Sequence, residues 1–310
     1  TVNIVVDAAT VAGTLSGADT VCYNNNSGQV ILSGKLGSVI QWESSENSGA
    51  IWNPINTALT DTIRYNNLQR TTLYRSLVKN GTCAVMYTTP IEITVVEPVT
   101  TANAGNDILV CNAASFTTLR ANTALSGAGM WRQIAGPNNV SIADATNPNT
   151  TVSGLVPGTY EFAWEISNGI CVSSADTVSV KVDQTIADFT LSGANNCGNT
   201  VYQFNDRSRS NFGIAEWKWS IAPGDTVYQK ENSIRFTSEG TYSMNLSVVS
   251  NVGCVNNLQA QFAVNVFEFP EVDIDAIRDV CKGQLTQLAP IVNSKDTIAM
   301  LLWNLGNGTR

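Results

Sequence analysis

Histidine is absent from this sequence, and charged side chains make up only 14% of its 310 residues. Without histidine the commonest general base of enzymes is missing, and we find neither a Gly-x-Ser-x-Gly nucleophile turn nor a phosphate-binding glycine loop ahead of a helix. No apolar run approaches the roughly 20 residues that span a bilayer, and no signal peptide is visible. We therefore predict a non-catalytic chain with no cofactor, no metal and no membrane span.

Positive charge is also scarce. The 17 lysines and arginines are scattered along a chain of net charge −8 and pI near 4.6. A protein that binds nucleic acid needs a cationic stripe to displace the counterions of the phosphates. The sequence therefore predicts no nucleic-acid partner, and the acidic balance by itself indicates a soluble, self-repelling surface.

A helical period is missing as well: no segment longer than a turn repeats its apolar residues every 3.6 positions. Thr, Ser, Asn, Val and Gly dominate instead, and short alternating runs are separated by turn residues every 8 to 12 positions. The clearest run alternates Tyr160, Phe162, Trp164 and Ile166 with smaller or polar residues. Each strand's apolar face must meet another sheet, so we predict an all-β chain of two-sheet sandwiches.

Four cysteines mark an internal repeat. Cys22, Cys111, Cys197 and Cys281 follow one another at steps of 89, 86 and 84 residues, and a tryptophan comes about twenty residues after each. The repeat predicts a tandem array with the last strand of a preceding module at 1–7, module one at 8–97, module two at 98–183, module three at 184–268 and an incomplete module four at 269–310. Because the junctions carry Pro98 and Pro270 but no Gly/Ser tract, we predict a semi-rigid rod.

The seven cysteines suggest one disulfide in each module. The separations are 61 residues for Cys22–Cys83, 60 for Cys111–Cys171 and 57 for Cys197–Cys254, and Cys281 is left to a partner beyond Arg310. The alternatives are free thiols or a zinc site, but the close Cys-x2-Cys pairs of zinc sites are missing. Disulfides predict an oxidising, extracytoplasmic compartment.

The aromatic residues recur at a fixed offset from the cysteines, which favours the sandwich core over a ligand surface. The predicted core residues are Trp42, Trp131, Trp217, Trp219, Trp303, Tyr74, Tyr160 and Tyr242. We expect the tyrosines to close strand corners by hydrogen bonding to backbone. Trp52 occurs once, and for it the alternative, stacking on a sugar ring, stays open.

Two motifs resemble the polycystic-kidney-disease (PKD) repeat family. They are Trp303-Asn304-Leu305-Gly306-Asn307-Gly308 and the strand Gly240-Thr241-Tyr242 with Met244, Leu246 and Val248. The resemblance implies β-sandwiches of immunoglobulin type: Ig-like for module one, Ig/PKD-like for module two and PKD-like for modules three and four.

The tandem copies, each with a leading Val-Cys and a trailing Asn-Gly-x-Cys or Val-Gly-Cys turn, resemble giant surface proteins of Bacteroidetes, including gliding-motility adhesins exported by type IX secretion. This implies a non-catalytic stalk of a bacterial cell-surface adhesin. Its partners would be neighbouring modules, surface polysaccharide or other cell-surface proteins, and the secretion machinery during export. The alternatives are accessory spacer or carbohydrate-binding modules of a secreted polysaccharide-degrading enzyme, and a self-assembling filament.

Five Asp-Thr pairs followed by Val or Ile resemble the O-glycan acceptor of Bacteroidetes secreted proteins. Their threonines are Thr20, Thr62, Thr177, Thr226 and Thr297. The alternative is that Thr-Val is simply good strand material. Asp273 and Asp275 share one strand face and are candidate calcium ligands. A solvated sheet edge is favoured, because calcium needs 6 to 8 oxygen ligands and the nearby residues do not supply them.

Overall fold

The structure, a computed structural model, describes residues 6–56, 59–112, 114–222, 224–275 and 279–304. Every regular element in these ranges is a β-strand, which confirms the all-β class. None of the described residues forms a helix that could cross a bilayer. Most of the predicted strand at 1–7 and the end of the Trp303–Gly308 motif lie outside the described residues, so both remain predictions.

Module one is a sandwich of two sheets. One sheet has the order β1-β3-β6, and the other has the order β2-β9-β7-β4-β5 with β8 paired to β7. All pairs are antiparallel except β2 with β9, which run parallel. The strands are β1 Thr14–Ser16, β2 Asp19–Cys22, β3 Ser27–Ser33, β4 Ser38–Ser45, β5 Asn53–Ile55, β6 Thr62–Asn66, β7 Thr72–Lys79, β8 Met86–Tyr87 and β9 Ile91–Val96.

Module two repeats the plan with sheets β10-β16-β15-β12 and β11-β14-β13. Its central strand carries the alternating run, and Tyr160, Phe162, Trp164 and Ile166 are all buried. The strands are β10 Ile108–Val110, β11 Phe116–Arg120, β12 Ala128–Ala135, β13 Ser141–Ile142, β14 Asn149–Ser153, β15 Gly158–Ser167 and β16 Ser174–Val182.

Module three has sheets β17-β18-β21 and β20-β19-β22-β23, and module four contributes the pair β24-β25. The strands are β17 Phe189–Asn196, β18 Asn199–Asp206, β19 Ile214–Ala222, β20 Asp225–Val227, β21 Glu231–Phe236, β22 Gly240–Ser250, β23 Val255–Val264, β24 Glu271–Ile274 and β25 Pro290–Asn293.

The residues group into two compact units. The first comprises residues 1–108, 115–155 and 159–180, and the second comprises 109–114, 156–158 and 181–310. The module boundaries drawn from the repeat remain predictions. Each unit contains a module core with a buried tryptophan at its centre: Trp42 packs with Val30 and Val78 in the first, and Trp219 packs with Phe204 and Leu246 in the second.

Candidate functional site: the disulfide-bridged module junctions

A disulfide joins module one to module two. Cys22, at the end of β2, is bonded to Cys171, in the turn between β15 and β16, with a Cα–Cα distance of 5.0 Å. The predicted Cys22–Cys83 bond is therefore wrong. Both bonded cysteines lie in the first compact unit, at the place where β9 ends and module two begins.

The parallel pairing of β2 with β9 explains why Cys22 cannot reach Cys83. In that register Cys22 lies beside Val96, at the last residue of β9, whereas Cys83 precedes β9 and follows the far end of β7. The eight residues of β7 separate the two ends by roughly 25 Å. A disulfide needs Cα atoms within about 7 Å. The two cysteines of one module therefore lie at its opposite ends.

Hydrogen bonds hold the trailing turn of module two against the end of module one. The Asn168 side-chain amide donates to the carbonyl of Glu97 at 3.0 Å, and its Oδ1 accepts from the backbone N–H of Cys171 at 2.8 Å. The Sγ of Cys171 lies 3.4 Å from the same Glu97 oxygen. On the other side, the Asn26 amide donates to the carbonyl of Cys22 at 2.7 Å. Both halves of the joint are thus positioned by asparagine side chains.

The second junction is bridged in the same staggered way. Cys111, just after β10, is bonded to Cys254 in the turn before β23, with a Cα–Cα distance of 5.5 Å. The predicted bonds Cys111–Cys171 and Cys197–Cys254 are therefore wrong too. At both junctions, the leading cysteine of one module is bonded to the trailing cysteine of the next module.

A buried carboxylate stabilises this second junction. Asp183 is fully buried, and its backbone N–H donates to the carbonyl of Val110 at 2.8 Å, next to Cys111. Its two carboxylate oxygens accept from the hydroxyls of Thr185 and Ser210, each at 2.8 Å. Burying a charge destabilises the fold unless the charge is hydrogen-bonded. The hydroxyls of Thr185 and Ser210 offset that cost for the Asp183 carboxylate.

Three cysteines carry free thiols: Cys83 is half-buried, and Cys197 and Cys281 are exposed. Bonding of Cys281 to a partner beyond Arg310 remains a prediction.

The repeated tryptophans are anchored by their indole N–H groups. The Nε1 of Trp42 donates to Thr60 O at 2.9 Å, that of Trp131 to Pro148 O at 3.2 Å and that of Trp219 to Gln229 O at 2.8 Å. All three rings are at most 2% exposed. This places them in the core of their modules, with no ring face open to a sugar.

The remaining predicted core aromatics are less uniform. Tyr74 and Tyr160 are buried, whereas Trp217 and Tyr242 are half-buried beside the core of module three and Trp303 is half-buried. The Tyr242 hydroxyl donates to the backbone carbonyl of Ser238, as expected of a strand corner, but that of Tyr160 donates to the side chain of Asn138.

Trp52, left open by the sequence, is covered by an arginine. The Arg75 guanidinium lies 4.0 Å from the Trp52 ring centroid and 4.3 Å from that of Tyr87, and it forms an ion pair with Glu43 at 2.6 Å. One face of each ring is therefore occupied by a cation–π contact.

The predicted acceptor threonines and acidic residues lie at the surface. Thr20, Thr177, Thr226 and Thr297 are exposed and Thr62 is half-buried, so glycosylation remains a prediction. Asp273 and Asp275 are both exposed. Among the residues that the structure describes, no three Cys, Asp or Glu side chains are grouped to hold a metal ion.

The comparisons with known proteins find a family model that matches part of the chain and relatives that match about half of it. A domain of unknown function (DUF8696) matches residues 11–97. The KIAA0319 homologue of Rattus norvegicus, described as dyslexia-associated, is 27% identical over 198 residues, which cover 56% of this chain and 18% of that protein. Human KIAA0319 is 25% identical over 187 residues, 56% of this chain and 17% of that protein. The chain thus spans less than a fifth of the length of these curated relatives.

Solved structures with similar sandwiches include immunoglobulin domains 1–4 of Sidekick-1, which are 11% identical with a TM-score of 0.38 and cover 83% of this chain and 76% of theirs. The Ca²⁺-stabilized adhesin with which an Antarctic bacterium binds ice is 12% identical with a TM-score of 0.33, covering 86% and 78%. The PKD domain of the KIAA 1837 protein is 29% identical with a TM-score of 0.24, covering 26% and 83%. With its two-sheet sandwiches, this chain is an all-β array of Ig/PKD-like modules whose junctions are bridged by disulfides.

Proposed function

We propose that this chain is part of the non-catalytic, load-bearing stalk of a bacterial cell-surface adhesin. The observation that carries the proposal is that a disulfide bridges each junction between complete modules, Cys22–Cys171 and Cys111–Cys254. In this arrangement force that passes from one module to the next has a covalent route besides the peptide chain. An array whose only task was to space two domains would need no such bond.

The redox chemistry supports an external location. Structural disulfides persist in oxidising compartments and are rare where thiols are kept reduced. Type IX secretion, gliding motility and the partners at the tip of the stalk, whether surface polysaccharide or other surface proteins, are the finer parts of the proposal, and the sequence resemblance supports them.

The chain's chemistry supports a mechanical role over a catalytic one. With no histidine in the sequence, proton transfer would fall to carboxylates, lysines, tyrosines or thiols. Two carboxylates with largely buried side chains, Asp183 and Glu43, are already engaged by hydroxyls and by Arg75. Both therefore act in the stability of a module or junction.

A surface experiment tests the proposal. In the organism that makes the protein, a strain with Cys22→Ser, Cys111→Ser, Cys171→Ser and Cys254→Ser, which lacks both junction bonds, would be compared with the unchanged strain, with both proteins carrying the same epitope tag. We expect the tag to be reached by antibody on intact cells of both strains, and the substituted strain to detach at lower shear while settling normally without flow.

Two results would contradict the proposal: a tag found only in the culture fluid, or identical detachment of the two strains. Release together with polysaccharide-degrading activity would instead support the accessory-module alternative.

A further inference from the structure

The bonded joint between modules one and two consists of two halves with distinct geometry. In the leading half, Cys22 ends a strand that runs parallel to the last strand of its own module, and the next backbone N–H, that of Tyr23, donates to Val96 O at 2.9 Å. In the trailing half, the Cys171 sulfur lies 3.8 Å from Val96 O and 3.4 Å from Glu97 O. Both halves therefore contact the same backbone carbonyl, that of Val96.

Cys83 reproduces the trailing half without a partner. Its sulfur lies 3.8 Å from Asp7 O and 3.4 Å from Ala8 O, the same two distances that Cys171 makes. The Asn80 side-chain amide donates to Ala8 O at 2.8 Å, as Asn168 does to its carbonyl.

The turn that carries the thiol is also the same. Asn80-Gly81-Thr82-Cys83 matches Asn168-Gly169-Ile170-Cys171, and both glycines have positive φ, 51° and 75°. Module one adds a hydrogen bond of its own, from the Thr82 backbone N–H to the Asp7 carboxylate at 3.0 Å. The free thiol of Cys83 therefore lies in the same turn as the bonded Cys171, and its sulfur contacts two backbone carbonyl oxygens as that of Cys171 does.

Cys197 reproduces the leading half. It pairs in parallel with Phe267, and the next backbone N–H, that of Gly198, donates to Phe267 O at 2.7 Å, as that of Tyr23 does to Val96 O. The thiol is exposed and opens on a cleft of about 740 Å³ whose lining includes Pro270 and Leu301. Cys197 thus makes the same backbone contacts as the bonded leading cysteine Cys22. The cleft beside its thiol leaves space for the trailing turn of another module.

We propose that Cys83 and Cys197 are half-joints, that is, the unbonded halves of two further joints between modules. Each forms the staggered disulfide with a further module of the same polypeptide, so that the bonds continue along the array as a ladder. Cys83 takes the leading cysteine of a module before it, and Cys197 takes the trailing cysteine of module four. Each bond forms between two thiols by exchange with the disulfide of an oxidant protein. That disulfide is reduced to two thiols as it accepts two electrons and two protons from the cysteine pair.

The bonded pairs set the position of the partners. The two disulfides span 149 and 143 residues of sequence. The partner of Cys83 therefore lies about 143 to 149 residues before it, and that of Cys197 the same distance after it. This inference concerns the pairing of thiols and does not depend on adhesion.

Disulfide mapping of the full-length protein tests it. The protein, isolated from its natural source with free thiols blocked by N-ethylmaleimide, would be digested without reduction and its cross-linked peptides identified by mass spectrometry. The Cys22–Cys171 and Cys111–Cys254 peptides serve as internal controls. We expect Cys83 and Cys197 in cross-linked peptides with cysteines at the stated separations, and no blocked form of either.

Any of three findings would overturn the proposal: Cys83 blocked by the reagent, Cys83 bonded to Cys22, or Cys83 bonded to a second copy, which would run as a dimer on a non-reducing gel. A full-length Cys83→Ser variant gives an independent reading. We expect one new reactive thiol per chain, on the upstream partner, with the Cys22–Cys171 bond intact; no gain in reactive thiol would count against the ladder.

Discussion

At the scale of single residues, one buried tryptophan in each of modules one, two and three hydrogen-bonds its indole N–H to backbone. The buried Nε1 atoms of Trp164 and Trp217 have no hydrogen-bond partner among the residues that the structure describes, whereas Trp42, Trp131 and Trp219 each donate from Nε1 to a carbonyl oxygen. This explains why the sequence repeats tryptophan, and not phenylalanine, at that offset: the ring fills the core while its N–H satisfies a loop carbonyl. Tyr74 is also buried, and its neighbour Tyr65 stacks on it with ring centroids 6.3 Å apart.

The buried Tyr74 gives stability a dependence on alkaline pH. Burial, then the nearby Tyr65 and Glu46, raise the pKa of Tyr74 from 10.0 to about 12. Below pH 10 the phenol is neutral in both the folded and the unfolded states. Between pH 10 and about 12 only the unfolded state loses the proton, so stability falls as pH rises through this window.

We expect Tyr74→Phe to flatten that fall, measured as the urea midpoint of module one at pH values across the window. Tyr87→Phe is the matched control, because Tyr87 is 50% exposed. A pH slope left unchanged by Tyr74→Phe would show that this phenol does not carry the effect.

At the scale of strands and turns, three glycines make room for an aromatic ring on a neighbouring strand. A Cβ at Gly28 would lie 2.3 Å from Tyr65, one at Gly129 would lie 2.1 Å from Trp164, and one at Gly193 would lie 2.5 Å from Tyr202. A ring laid over a glycine covers backbone that would otherwise be open to water, so the glycine and the aromatic residue are one packing unit.

Gly129→Ala tests this packing. Trp164 is 1% exposed and packs against Trp131 with the ring centroids 5.2 Å apart and the planes tilted by 47°, so it cannot move aside without opening the core of module two. We expect a loss of about 1–3 kcal/mol of unfolding free energy, the usual cost of overpacking. The control is Met130→Ala on the same strand, where the side chain is 56% exposed and the expected change is within about 0.5 kcal/mol. Equal effects of the two substitutions in chemical denaturation would contradict the account.

The same scale shows what the sequence could predict. Alternation located the central strands, because a buried face leaves a period of two in the residue string, as at Tyr160 and Phe162. The cysteine pairing could not be obtained in this way, since spacing within a module says nothing about which end of the sandwich a residue occupies. The decisive fact is the parallel pairing of β2 with β9. Parallel strands are joined by long-range contacts that leave no local signature, and Cys22 and Cys83 are separated by that topology alone.

The half-joints could in part have been found from the sequence. The identical spacing of Asn80 to Cys83 and of Asn168 to Cys171 indicates that both turns place a trailing cysteine in the same position. That Cys83 is free while Cys171 is bonded then follows only from the structure. The Arg75 contact with Trp52 is likewise a tertiary pairing that no local pattern marks.

At the scale of the whole chain, the staggered bonds change the route that force takes. The two disulfides are connected by three parallel stretches of chain, of 89 residues from Cys22 to Cys111, 60 from Cys111 to Cys171 and 83 from Cys171 to Cys254. If the ladder continues through Cys83 and Cys197, the routes shorten to the 28 residues from Cys83 to Cys111 and the 26 from Cys171 to Cys197. Both routes include a closing strand, β9 or β16, which is already extended in the fold. Such an array lengthens little under load even when its sheets separate.

Pulling on a single molecule measures this directly. In the 310-residue chain with Cys83→Ser, Cys197→Ser and Cys281→Ser, the four cysteines that remain are those of the two junction disulfides. Its reduced form can extend over the 232 residues between Cys22 and Cys254, roughly 800 Å at about 3.5 Å per residue. The oxidised form is limited by its shortest stretch, the 60 residues between Cys111 and Cys171, or roughly 210 Å. We therefore expect reduction to release about 600 Å of contour length between these points.

The same 310-residue chain with all seven cysteines is the matched control for these three Ser substitutions. Under the staggered pairing, its oxidised contour length should equal that of the substituted chain, because Cys83, Cys197 and Cys281 lie outside both bonds. Under pairing within modules, replacing Cys83 and Cys197 would free the 61 residues from Cys22 to Cys83 and the 57 from Cys197 to Cys254, and would lengthen the oxidised chain by roughly 400 Å. A longer oxidised contour in the substituted chain would therefore contradict the inter-module bonds, because only a bond to one of the replaced cysteines could have hidden that length.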